Sequence, residues 1–92
     1  MPSDDRMSDY SIVLARSARR ELERLNEPIA SRVLSRIESL ATNPRPSGCR
    51  KLEGTENLWR IRVGDYRVLY AVHDDQQVVD IIAVRHRGEA YR

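Results

Sequence analysis

The apolar positions of this chain follow two different periods, which divide it into a helical part and a strand part. Between residues 22 and 40 the apolar residues recur at spacings of three and four, as on the buried side of a helix. They are Leu22, Leu25, Ile29, Val33, Ile37 and Leu40. Asn26-Glu27-Pro28 interrupts the series, and proline is tolerated in the first turn of a helix but not in its interior. The pattern predicts two helices, at about 16–25 and 27–41, packed as a hairpin.

Short segments rich in β-branched and apolar residues predict four strands. The first runs from Tyr10 to Ala15, and the others lie at 58–63, 66–72 and 78–85. The two residues Gly64 and Asp65 separate the second and third strands, which is typical of a tight hairpin. We therefore expect an α+β fold of order β-α-α-β-β-β, with the helical hairpin packed on one face of an antiparallel sheet.

The predicted hairpin has a definite register. If Gly64 and Asp65 form the turn, Val63 pairs with Tyr66 and the side chains alternate between two faces. One face is apolar and should be covered by the helices; it carries Trp59, Ile61, Val63, Tyr66, Val68 and Tyr70. The opposite face carries Arg60, Arg62 and Arg67, with Arg62 directly opposite Arg67.

Length and composition limit the class of protein. The 92 residues suffice for one domain, which we place at 9–92 after a polar lead-in at 1–8. No apolar run approaches the ~20 residues that a membrane span requires. Neither a signal peptide nor a second cysteine beside Cys49 is present, which favours a reducing, cytoplasmic location. The net charge is +2, and Lys51 is the only lysine among 16 basic residues.

The predicted arginine cluster suggests an anion site. Directly opposed like charges destabilise a sheet, so an anion is expected to neutralise them, and phosphate suits several guanidinium groups. The alternative is a solvated face whose charges pair with Glu53, Glu56 or Asp80. His86, which lies between two arginines, is a further candidate for anion chemistry.

Metal and cofactor chemistry find no support in the residues. The four glycines are scattered, one cysteine and two histidines make no zinc site, and the acidic residues do not cluster. We expect neither metal nor cofactor. RNA carries its own nucleophile, the 2′-hydroxyl, so a metal-free phosphate site needs only charge neutralisation and proton transfer. The proton-transfer candidates are Tyr91, His86 and Lys51.

The segment from Lys51 to Tyr70 resembles the RelE group of bacterial toxins, as does the ending from Val84 to Arg92. Ser17-Ala-Arg-Arg-Glu-Leu and Asn43-Pro-Arg-Pro extend the likeness over residues 9–92. The resemblance implies a type II toxin held inactive by a separate, RelB-like antitoxin. It also implies metal-independent cleavage of mRNA in the ribosomal A site by the 2′-hydroxyl, which inhibits translation. The antitoxin would follow an exposed sheet edge or cover the arginine face, with Leu69, Ile82 and Val84 as apolar anchors.

The resemblance also assigns site residues. Arg60 and Arg62 match the basic positions before the turn, Arg67 the arginine after it, Arg87 the closing basic motif and Tyr91 the terminal tyrosine. Relatives often have a lysine at the first positions, and arginine is a poor base; proton abstraction therefore falls to Tyr91 or His86. The alternative is the related ParE type, which inhibits DNA gyrase and cleaves no RNA. A binding module that cleaves nothing is a third hypothesis.

Overall fold

A computed structural model of the chain describes residues 9–86. The predictions for residues 1–8, Arg87 and Tyr91 lie outside the described residues. The two helices are α1 (Arg16–Glu23) and α2 (Ile29–Ser39). The five strands are β1 (Ser11–Leu14), β2 (Arg50–Lys51), β3 (Leu58–Val63), β4 (Tyr66–His73) and β5 (Val78–His86). They form one sheet of order β1-β5-β4-β3-β2, which confirms the α+β class.

The sheet differs from the predicted one at both edges. β1 pairs with β5 in parallel, from Ser11 opposite Val78 to Leu14 opposite Ile81, so the sheet is mixed rather than purely antiparallel. A short additional strand, β2, pairs with β3 through Arg50 and Arg60. The strand β1 was predicted from its local sequence, but its parallel pairing was not, because its partner lies more than sixty residues away. The strand β2 has no local signal, because two residues are too few to show alternation.

The hairpin register is confirmed. Val63 lies opposite Tyr66, and the pairing continues through Arg62 opposite Arg67 as far as Leu58 opposite Ala71. Gly64 begins the turn at φ +60°, a left-handed conformation that glycine adopts without steric cost. The local turn and the alternation therefore set which side chains share a face.

The core lies between this hairpin and the helices. On α2, Val33 and Ile37 are at most 1% exposed, and they pack in one cluster with Ile61, Val68 and Tyr70 from the sheet. The helices thus cover the face predicted to be apolar. Both are shorter than predicted, since α1 ends at Glu23 rather than 25 and α2 spans Ile29–Ser39 rather than 27–41. Within residues 9–86 no helix is long and apolar enough to cross a membrane.

Candidate nucleic-acid interface

The face of the sheet away from the helices carries a row of arginines. Arg62 on β3 lies opposite Arg67 on β4, which in turn lies opposite Arg85 on β5. Because adjacent strands are about 4.8 Å apart, the three backbones span about 10 Å. We call Arg60, Arg62, Arg67 and Arg85 the arginine face. Arg62 is exposed, and the other three are half-buried.

Arg85 is neutralised from within the protein. Its Nε donates to Glu21 Oε2 at 2.9 Å, and Glu21 Oε1 accepts a hydrogen bond from the Val84 backbone N–H at 2.7 Å. Sequence reasoning missed Glu21, because it lies on α1, 64 residues before Arg85. Arg85 therefore forms a structural ion pair with Glu21 at the end of the row.

The proposed alternative of a self-neutralised face finds no support at Arg62. Within residues 9–86, Glu53, Glu56 and Asp80 form no ion pair, whereas Arg45 pairs with Asp74 and Arg85 with Glu21. Arg60 Nη1 and Arg67 Nε are shielded from solvent. Charge interactions are stronger in such an environment than in water.

A cavity of about 410 Å³ continues the arginine face around the open edge of β3. We call it the edge cavity. It is lined by Arg36, Ser47, Gly48, Arg50, Arg60 and Arg62. Arg36 reaches the edge from α2 and donates from Nη1 to the Arg62 carbonyl oxygen at 3.4 Å. Sequence reasoning missed Arg36 and Arg50, because in the linear pattern they occupy ordinary solvated positions.

The loop that forms one wall of the edge cavity is tied to the centre of the sheet. The buried Tyr70 hydroxyl donates to the Pro44 carbonyl oxygen at 2.7 Å. Burial raises the pKa of Tyr70 well above its usual value, and the nearby Cys49 thiol adds to the shift. The hydroxyl is therefore a neutral donor at any physiological pH.

A second tie holds the same loop from outside. Arg45 makes two hydrogen bonds to the Asp74 carboxylate, of 2.8 and 3.3 Å, and its guanidinium lies 5.1 Å from the centroid of the Trp59 ring. The Tyr10 hydroxyl donates to the same carboxylate at 2.7 Å. Hydrogen bonds from Arg45 and then Tyr10 lower the pKa of Asp74. The loop position thus depends on Tyr10, which precedes β1, on Trp59 of β3 and on Asp74 of the β4–β5 turn.

His86 is not brought together with the arginines. It lies opposite Tyr66, and the two rings meet edge to face with centroids 5.2 Å apart. Both line a separate cavity of about 210 Å³ with Glu21 and Leu25. Since side chains alternate along a strand, His86 lies on the opposite face of β5 from Arg85.

A bulge in β5 explains this placement. Leu69 lies opposite Ala83, but Tyr70 lies opposite Ile81, which leaves Ile82 with no partner on β4. The extra residue changes which side chains of β5 point toward the helices. Val84 consequently lies opposite Val68 in the core, 3% exposed, so its expected role as an anchor on the arginine face is wrong.

The described residues offer no metal-binding group. Within residues 9–86, no set of three or more histidine, cysteine, aspartate or glutamate side chains is placed to hold a metal ion. The chemistry of this region is that of guanidinium, hydroxyl and backbone donors.

Known proteins share this sequence and fold. The family described as "ParE toxin of type II toxin-antitoxin system, parDE" matches residues 12–91. Toxin RelE of Mycobacterium tuberculosis is 37% identical over 90 residues, which cover 94% of this chain and 93% of that protein. Toxin RelG of the same organism is 33% identical over 87 residues, 90% of this chain and 97% of that protein.

Solved structures agree with these matches. The archaeal RelE–RelB complex from Pyrococcus horikoshii superposes with a TM-score of 0.77 at 32% identity, over 87% of this chain and 97% of that one. The isolated Escherichia coli RelE toxin gives a TM-score of 0.75 at 26% identity, over 89% of this chain and 90% of that one. The chain therefore belongs to the RelE/ParE superfamily of type II toxin–antitoxin systems, as a toxin of the RelE type.

Proposed function

We propose that this toxin is a metal-independent endoribonuclease that cleaves mRNA in the ribosomal A site and so inhibits translation. The observation that carries the proposal is the placement of Arg62 directly opposite Arg67 on the sheet face that the helices leave uncovered. The similarity to proteins named RelE supports it. The modest net charge of +2 supports dependence on the ribosome, because RNA affinity comes largely from positive charge.

The reaction is an internal transesterification. The 2′-oxygen forms a bond to the adjacent phosphorus, the bond from phosphorus to the 5′-oxygen breaks, and a 2′,3′-cyclic phosphate remains. One proton leaves the 2′-hydroxyl, and one is delivered to the departing 5′-oxygen. Charge builds on the non-bridging oxygens, where Arg62 and Arg67 would bind, with Arg60 and Arg87 assisting.

Proton transfer needs a group other than arginine, which stays protonated at physiological pH. We assign it to Tyr91 on the resemblance to the RelE group; a tyrosine brought close to the arginine face would have its phenolate form favoured by the positive charge. His86, the reserve candidate, lies on the other face of β5 and beside Tyr66. That placement favours Tyr91 over His86.

Primer extension on programmed ribosomes tests the proposal. We expect codon-spaced cuts with the wild-type toxin and none on naked mRNA. Because removing one preorganised donor to a charged transition state costs about 10²–10³-fold in rate, Arg62→Ala and Arg67→Ala should each lose cleavage to that extent. Tyr91→Phe should lose it as well. Arg19→Ala, an exposed position on α1, is the matched control and should cleave normally.

The alternatives give different results in the same experiment. Intact mRNA together with gyrase stalled on DNA would identify a gyrase inhibitor of the ParE type. Intact mRNA and working gyrase would leave only a binding function. Cleavage that survives both arginine variants would place the active site elsewhere.

We also propose that a RelB-like antitoxin is the partner that holds the toxin inactive. Several solved relatives are complexes of RelE with RelB. An acidic segment over the arginine face would complement its charge, and such a complex should weaken with salt. Co-purification with the antitoxin at low and high salt, repeated with Arg62→Glu, tests this mode; equal binding by the variant would contradict it.

A further inference from the structure

The edge cavity holds more positive charge than one phosphodiester can neutralise. Three exposed arginines, Arg36, Arg50 and Arg62, line it together with Arg60, whereas a phosphodiester carries one negative charge. A scissile phosphate bound at Arg62 and Arg67 leaves the charges of Arg36 and Arg50 without a counter-ion, and within residues 9–86 neither forms an ion pair. We infer that Arg36 and Arg50 form a second phosphate site, which binds a neighbouring phosphodiester of the same RNA strand. The inference rests on the proposed function.

The site is assembled from three separate elements. Arg36 comes from α2 and Arg50 from β2, and both meet β3 at its edge. Arg50 is the cross-strand partner of Arg60, so their Cα atoms are about 4.5–5.5 Å apart. The Arg36 hydrogen bond to the Arg62 carbonyl uses one of its nitrogen atoms, and a guanidinium has five N–H donors.

The lining favours an anionic ligand rich in acceptor atoms. Guanidinium groups donate and never accept, and Ser47 adds a hydroxyl to the four arginines. Gly48 has a φ of +92° with no atom within 4 Å of where a Cβ would lie, so ligand atoms can approach this part of the loop backbone closely. The volume of about 410 Å³ falls within the ~300–1,000 Å³ of small-ligand sites, enough for part of a nucleotide.

The position of the cavity points to a continuous strand rather than a separate small anion. Arg60 and Arg62 belong both to the edge cavity and to the arginine face. The second phosphate site is therefore directly adjacent to the site of the scissile phosphate. Adjacent strands are about 4.8 Å apart, which puts the backbones of β2 and β4 about 10 Å apart. Consecutive phosphates of one RNA strand would therefore lie across β4, β3 and β2 in turn.

Binding of uncleavable RNA of different lengths tests the second site. We would measure fluorescence anisotropy with fully 2′-O-methylated oligonucleotides, one with a single phosphodiester and one with three, at several salt concentrations. The double variant Arg36→Gln/Arg50→Gln should bind the shorter RNA as the wild type does. On the longer RNA its salt slope should fall by about 0.7 for each phosphate that the variant no longer neutralises. For one such phosphate, a fourfold rise in salt concentration should therefore weaken RNA binding by the wild type about 2.6-fold more than binding by the variant.

Two further variants separate charge from other effects. Arg36→Lys/Arg50→Lys keeps the charge and should keep the salt slope. Arg19→Gln removes an exposed arginine that lines none of the cavities described above and should behave as the wild type. Arg36 and Arg50 are both exposed, so thermal unfolding should show the same fold for every variant.

Three results would overturn the inference. They are a wild-type slope in the glutamine double variant on the longer RNA, an equal loss of affinity for both RNAs, or no steeper salt dependence of the wild type on the longer RNA. Since the probe cannot be cleaved, these results are independent of catalysis. A toxin that shows the expected length dependence but leaves mRNA intact on ribosomes would fail the proposed function and retain the second phosphate site.

Discussion

The Tyr70 hydroxyl is the buried link between the sheet and the loop of the edge cavity, and its removal has a predictable cost. Tyr70 is 0% exposed, and its hydroxyl donates to the Pro44 carbonyl oxygen at 2.7 Å. Tyr70→Phe deletes this donor and keeps the ring that packs in the core. The change therefore isolates one hydrogen bond between β4 and the loop.

The size of the effect follows from the burial of the two groups. An intramolecular hydrogen bond contributes about 0.5–1.5 kcal/mol net, and more when a buried partner is left unsatisfied. Pro44 is half-buried, so water can partly replace the missing donor, and we expect a loss of about 1 kcal/mol. For a domain of this size, 1 kcal/mol lowers Tm by about 4–8 °C.

Thermal unfolding followed by circular dichroism at neutral pH measures this change, with Tyr66→Phe as the matched control. Tyr66 is half-buried, and within residues 9–86 its hydroxyl makes no hydrogen bond; we expect a change within about 0.5 kcal/mol. Equal Tm values for the two variants would refute the reasoning, because they would show that the bond to Pro44 contributes nothing to stability.

Three other changes test separate parts of the structure. Because the pKa of Asp74 is lowered in the folded protein, the carboxylate stabilises the fold at pH values above its ordinary pKa of 3.8, and this stabilisation is lost as pH falls through the folded-state pKa. Asp74→Asn should therefore flatten the pH dependence of the free energy of unfolding in urea over that acid range. An unchanged pH dependence in the variant would contradict this. Glu21→Ala leaves the Val84 N–H without its acceptor and should cost about 1–2 kcal/mol in urea unfolding, whereas an unaltered midpoint would show that water replaces the carboxylate fully. Ile37→Ala, at a position 1% exposed, should cost about 2–5 kcal/mol, while Leu34→Ala on the same helix, 42% exposed, should stay within about 0.5 kcal/mol; similar losses would mean that α2 does not bury the assigned face.

Features that depend on neighbours along the chain could be predicted from the amino-acid sequence alone. The spacing of apolar residues was enough for both helices, and the short Gly64-Asp65 turn with strand alternation was enough for the register that places Arg62 opposite Arg67. These features are local, because a two-residue turn leaves the strands little freedom to slip, and a slip of one residue would expose the whole apolar face.

Features that depend on distant contacts were decided only by the tertiary structure. The parallel pairing of β1 with β5, the ion pair of Glu21 with Arg85 and the approach of Arg36 to β3 each join parts of the chain that no short-range pattern connects. The bulge at Ile82 shifted the alternation of β5 and placed His86 on the helix-covered face. A periodic pattern records which side chains avoid water, but the packing of whole elements determines which charged groups from different elements meet.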